Sequence, residues 1–187
     1  MEQNIVYAGK TSKEREIIIR YPTLSDAPEM WRYINELSQE KTFVRFQGEE
    51  ISLEYETKFL NGELEKIKNK RAVQLLVFSS NTLIGISAID LKDKSESHEG
   101  VFGLSVAKDF RGEGIGKLLM KLTIDEAVNK LSDLRIITLG VFGDNDLAYT
   151  LYEKLGFKEF GRLPGGSKHR DKYVDHIYMY KEVQRDE

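Results

Sequence analysis

The chain has 187 residues, 40% of them hydrophobic and 32% charged, with 28 lysines and arginines against 31 acidic residues. That length suits one ordinary domain with a core large enough to fold unaided. Cysteine is absent, which excludes a disulfide framework, a Cys-type zinc site, an iron–sulfur cluster and a cysteine nucleophile.

Three histidines (His98, His169, His176) and no H-E-x-x-H pair give no reason to expect a metal. A net charge of −3 lacks the basic excess that phosphate neutralisation needs. The basic run 66–71 reads as the solvated C-terminal end of a helix, so nucleic acid is not an expected partner. Residues 1–14 show no basic start followed by an apolar run, and no apolar stretch approaches the roughly 20 residues that span a bilayer. The expectation is a soluble, cytoplasmic protein with no membrane partner.

The elements alternate along the chain. Residues 16–21 (E-I-I-I-R-Y) predict a strand, and Thr23 to Asp26 cap a helix reaching about Ser38. A second helix fits 52–70, where Leu53, Phe59, Leu60, Leu64 and Ile67 recur at helical spacing. Residues 72–78 and 83–90 form a hairpin around Ser79-Ser80-Asn81-Thr82, and 101–107 is a further strand. A long amphipathic helix follows from Ile115 to about Leu131, then an apolar strand at 135–142 and a helix at 144–155 stopped by Gly156. Residues 157–162 and 173–181 pair around a Pro-Gly-Gly turn. The predicted fold is α+β (mixed α/β): one domain, a sheet of about seven strands, antiparallel hairpins flanking a β-α-β-α centre. Residues 1–14 and 184–187 are expected to be loose, with 15–182 forming the domain.

The chemically informative stretch runs from Asp109 to Leu119, D-F-R-G-E-G-I-G-K-L-L, between a strand and a long helix. Alternate glycines let the backbone turn sharply, and the helix start offers free N–H groups at a positive dipole end, a corner that binds phosphate. A Walker A loop is excluded because Leu118 follows Lys117, and G-x-G-x-x-G fails because Lys117 stands at the third glycine. The stretch Arg111 to Gly116 does fit R-x-x-G-x-G. Downstream, Asn145 opens a run with Ala148, Leu151, Tyr152, Leu155, Gly156 and Phe157 at helical spacing. Together these resemble the two signatures of the GNAT superfamily, the acyl-CoA-dependent N-acyltransferases, over most of the chain.

The resemblance implies a single GNAT-like domain with acetyl-CoA as co-substrate. Backbone groups of Leu104, Ser105 and Val106 would pair with the pantetheine arm. The amides of Arg111, Gly112, Glu113, Gly114, Ile115, Gly116 and Lys117 would cradle the pyrophosphate, and Asn145 would bond the cofactor or cap its helix. Tyr152 matches the family's usual general acid. Relatives often carry a glutamate about ten residues ahead of the arginine, where Val101 stands here. Glu99 is the replacement base, with His98 or a water chain as alternatives. Acceptor specificity would come from Glu40, Arg45, Glu49, Glu50, Asp175 and His176, while 168–172 reads as an exposed polar turn.

The expected activity is acetyl transfer from acetyl-CoA to a primary amine, of a polyamine or an amino-acid-like small molecule. The alternatives are acetylation of a protein N-terminus or lysine, and a non-catalytic acyl-CoA sensor. Without cysteine, no acyl-cysteine intermediate forms, which favours direct attack in a ternary complex. The resemblance also allows a homodimer.

Overall fold

A computed structural model describes residues 4–183. Among them, eight strands make one sheet, joined in chain order with four α-helices: β1 (Ile5–Lys10), β2 (Glu16–Arg20), α1 (Ala27–Gln39), α2 (Leu53–Lys68), β3 (Ala72–Ser79), β4 (Thr82–Leu91), β5 (Glu99–Val106), α3 (Ile115–Lys130), β6 (Ile136–Phe142), α4 (Asp146–Lys154), β7 (Lys158–His169) and β8 (Lys172–Glu182). The sheet order is β1-β2-β3-β4-β5-β6-β8-β7. Every neighbouring pair is antiparallel except β5 and β6. The mixed α+β class stands.

Strand alternation divides the core between the two faces. Val73, Leu75 and Val77 of β3 pack with Leu119, Met120 and Ala127 of α3. Leu76 turns the other way, to Met30, Tyr33 and Leu37 of α1 and Leu60 of α2. Helices α1 and α2 thus cover one face of the sheet, and α3 and α4 the other.

Three expectations need correction. The sheet has eight strands rather than about seven, because residues 5–10 form β1, paired with β2 from Ile5↔Arg20 to Lys10↔Glu16. Residues 11–14, also expected to be loose, are tied down by Thr11, whose hydroxyl donates to the Glu113 carboxylate at 2.8 Å. The expectation for 184–187 lies outside the described residues. Finally, the last hairpin does not turn at Pro-Gly-Gly. β7 runs through it with a register shift between Leu163 and Ser167. The chain reverses at Arg170 and Asp171, both at positive φ (47° and 64°), the backbone that a two-residue hairpin turn requires.

One buried ion pair locks the start of α1. The Arg20 guanidinium grips Asp26 at 2.6 and 2.8 Å, and Asp26 also accepts from the Thr23 backbone N–H at 2.7 Å.

Candidate active site

β5 and β6 pair at only three positions, Glu99↔Ile136, Gly100↔Ile137 and Val101↔Thr138. Beyond them each strand continues to Val106 and Phe142 respectively, held on its far side by β4 or β8, so the two inner edges face each other across a gap. Ala107 donates its backbone N–H to the Ile84 carbonyl, and the Glu99 carbonyl accepts from Lys92, both at 2.8 Å. Alternation from these residues turns the backbone of Ser105 toward β4 and that of Leu104 and Val106 into the gap. The backbone of Leu104 and the N–H of Val106 are therefore placed to meet an extended ligand arm; the backbone of Ser105 is already used, and the Val106 carbonyl accepts from Arg111.

The gap opens onto the glycine-rich loop. Gly112 and Gly114 have φ of 76° and 83°. A Cβ at either would meet nothing within 4 Å, so the loop is an open cradle. Gly114 is the N-cap of α3, leaving the N–H groups of Ile115, Gly116 and Lys117 without intrahelical acceptors. An exposed concavity of free N–H groups at a helix start fits a pyrophosphate. Glu113 is different, because its side chain is turned inward. Burial opposes its ionisation, yet the Thr11 hydroxyl and the Arg15 and Lys13 cations hold its carboxyl below the usual range. Arg111 braces the loop by donating to the Val106 carbonyl at 2.8 Å and pairing with Glu40 at 2.6 Å. Glu40 is thus committed to the loop rather than free for an acceptor.

Asn145 caps α4, accepting from the Ala148 N–H at 3.2 Å. Tyr152, on α4, is 9% exposed and packs edge-on to Phe102 of β5, with ring centroids 6.3 Å apart. Burial pushes its hydroxyl up to about 12, so it holds its proton at neutral pH. Its ring lies on the α3/α4 side of the sheet, against Phe102, the residue that follows the last β5–β6 pair.

The residues considered as bases are placed unfavourably. Glu99 sits at the closed end of the gap, five residues before Leu104, roughly 16 Å along an extended strand. Its carboxylate is engaged by Lys92 and the Thr138 hydroxyl, both at 2.7 Å. Although partial burial opposes ionisation, these partners hold its carboxyl below the usual range, which makes it a poor proton acceptor. His98 is exposed at the same closed end.

Of the acceptor candidates, Arg45 and Glu49 line two adjoining cavities, of about 620 and 540 Å³, flanking the α1–α2 connection. His176 lines the smaller one, and its Nδ1 bonds Ser167 at 2.8 Å. Asp175 pairs with Arg162, and Glu50 lines neither cavity. The charged turn is not wholly exposed: His169 is buried against Phe43 and Phe142 and pairs with Asp144 at 2.8 Å.

The residue that sequence reading missed is Glu56. It lies on the buried side of α2 with Leu60, 5% exposed, and lines the larger cavity. Among the described residues nothing pairs with its carboxyl, and burial alone pushes it up to about 7. An acidic residue four positions before Leu60 on an apolar helix stripe was the available signal. The sign for stability follows from linkage. A folded value raised above the ordinary 4.5 gives stability that is complete below that value and lost as pH rises through about 7. Glu56→Gln is therefore expected to stabilise the fold at pH 8 by about 3 kcal/mol, with little effect at pH 4. Thermal melts at the two pH values check this.

The sequence of residues 30–157 matches the acetyltransferase (GNAT) family. The chain belongs to that family. It is 32% identical over 107 residues to the L-amino acid N-acetyltransferase AaaT of Escherichia coli (strain K12), covering 57% of this chain and 65% of that protein. It is also 32% identical over 83 residues to the mycothiol acetyltransferase of Corynebacterium efficiens, covering 44% of this chain and 27% of that protein. The matched stretches thus span only part of those curated relatives. Among solved structures, the GNAT-family acetyltransferase of Streptococcus pneumoniae superposes with a TM-score of 0.82 at 27% identity, covering 90% of this chain and 100% of that one. In fold alone, the Salmonella typhimurium acetyltransferase yncA, solved with acetyl-CoA, is similar at a TM-score of 0.77 and 14% identity, covering 91% and 95%.

Proposed function

We propose that this chain transfers acetyl from acetyl-CoA to the primary amine of a small molecule. The observation that carries the reading is the gap between β5 and β6, which ends on the open Gly112–Gly114 cradle and the start of α3. Relatives named for L-amino acids and mycothiol support a small acceptor.

When bound, acetyl-CoA supplies an activated thioester. The first-turn N–H groups of α3 hold the pyrophosphate, and the inward-facing backbone of Leu104 and Val106 aligns the arm. A gap-facing N–H on β5 stabilises negative charge developing on a carbonyl oxygen. Tyr152, protonated and next to the gap, donates to the departing sulfur. Amine and acid approach from opposite faces of the sheet, so the nitrogen reaches the carbonyl carbon and the phenol the sulfur without displacing each other.

Tyr152→Phe is expected to lower kcat by about 100-fold or more while acetyl-CoA affinity changes less than about threefold. Steady-state kinetics with calorimetry check both, and unchanged kcat removes Tyr152 from the acid role. The reading as a whole is tested by free-thiol release from acetyl-CoA with a panel of small amines, N-terminal peptides and lysine peptides. Release with small amines is expected; release with peptides alone would move the acceptor to protein, and no release with any acceptor would leave a binding module.

A further inference from the structure

We propose that the cavity between α1, α2 and the β3–β5 floor receives the acceptor, with Glu56 binding its ammonium group and taking its proton, and that this acceptor carries an apolar body of about aryl size. The proposal rests on the acetyl-transfer reading above.

Four observations carry it. The cavity, about 620 Å³, is large enough for a small organic amine. Its walls are mostly apolar, with Ile34 from α1, Phe46 from the connection, Phe59 from α2 and Ile86 from β4. Against these walls stand two buried acceptors without protein partners: the Glu56 carboxylate and the carboxamide oxygen of Gln74, the latter 3% exposed and unbonded among the described residues. Buried acceptors left unpaired are costly, and a ligand that brings N–H donors removes the cost. An ammonium offers three donors and the charge that complements a carboxylate.

The fourth observation is position. Ser105 forms one wall, and its neighbours Leu104 and Val106 turn their backbone into the gap where the thioester would lie. The Ser105 hydroxyl accepts from Tyr33 at 2.9 Å and keeps its own hydrogen for a ligand. A cavity that ends on this residue delivers its occupant beside the reacting carbon.

The proton balance closes. Glu56 takes one proton from the ammonium and later yields it to solvent. The neutral nitrogen attacks the thioester carbon, the C–N bond forms and the C–S bond breaks. The second nitrogen proton passes to solvent, Tyr152 gives its proton to the departing sulfur, and solvent returns one proton to Tyr152, so one proton is released overall. The other titratable groups facing Glu56 across the cavity are Arg45 and Glu49 from the connection and Tyr55 on α2. A carboxyl titrating near neutrality suits this work, whereas Glu99 is held by Lys92.

The test uses 2-phenylethylamine as probe and the full chain, without acetyl-CoA, at pH 8. Calorimetry is expected to show binding by the wild type and at least a tenfold loss in Glu56→Gln, with Glu56→Asp retaining most of the affinity. For acetyl transfer to the same amine, Glu56→Gln is expected to lower kcat/KM about 100-fold and to remove the limb of the pH profile that rises near 7. Equal affinity in wild type and Glu56→Gln, or no binding by the wild type, overturns the proposal. A separate acetyl-CoA titration showing no binding would instead overturn the acetyl-transfer reading, and leaves the amine result to be judged alone.

Discussion

Gly114→Val is expected to lose acetyl-CoA affinity by at least about 100-fold, equivalent to roughly 2.7 kcal/mol of binding free energy. Two effects act together. The residue sits at φ 83°, in the left-handed region, where a β-branched side chain costs on the order of 1–2 kcal/mol. Its Cβ would meet no protein atom within 4 Å, so the new side chain points into the open cradle proposed for the pyrophosphate. The fold itself should persist, with a melting temperature lower by a few degrees. Gly62→Ala, on α2 where a Cβ also meets nothing, serves as the control and should bind like the wild type. Calorimetric titration decides the matter, and equal affinity in Gly114→Val would remove the cofactor assignment from this loop.

Asp26→Ala carries the largest expected stability change. Arg20 and Asp26 are both almost wholly buried, with side-chain exposures of 7% and 8%. Truncating Asp26 strands the guanidinium between Phe78, 4.2 Å from its ring centroid, and the backbone. Breaking one partner of such a pair costs about 3–5 kcal/mol. For a chain of this length that lowers the melting temperature by about 10 °C. Replacing both residues, Arg20→Met with Asp26→Leu, should recover most of the loss, because no unpaired charge is left behind. Asp26 also sets an acid limit. Burial opposes its ionisation, but Arg20 and Thr23 hold its carboxyl below the ordinary value of 3.8. Its stabilisation is present above that value and lost as pH falls through the lower folded one, so unfolding by acid should appear below about pH 4 and be blunted in Asp26→Ala.

The parts of the site that were legible beforehand are those in which a backbone requirement is written into residue type. Gly112 and Gly114 are needed for positive φ, Asn145 for a helix cap, and Gly156, at φ 87°, for a helix stop. Such demands are local and survive in one dimension. Pairing across the sheet does not. Glu99 reads as a free carboxylate until Lys92 and Thr138 are seen on it. Ser105 reads like its neighbours until strand parity turns its backbone toward β4. Pro164-Gly165-Gly166 is a stronger turn signal than Arg170-Asp171, yet pairing with β8 continues past it, and Gly165, at φ 66°, is absorbed as an irregularity.

Taken alone, the sequence determined the order of elements from β2 onward, the glycine-rich turn into α3 and the GNAT family, since hydrophobic period, capping residues and glycine spacing are properties of neighbours in the chain. Only the tertiary structure decided which carboxylates are free to do chemistry. Glu99 and Glu56 look equivalent as letters. Folding gives the first a lysine and a hydroxyl, and leaves the second buried beside an apolar cavity with no partner, because ionisation is set by what long-range packing brings within a few ångströms.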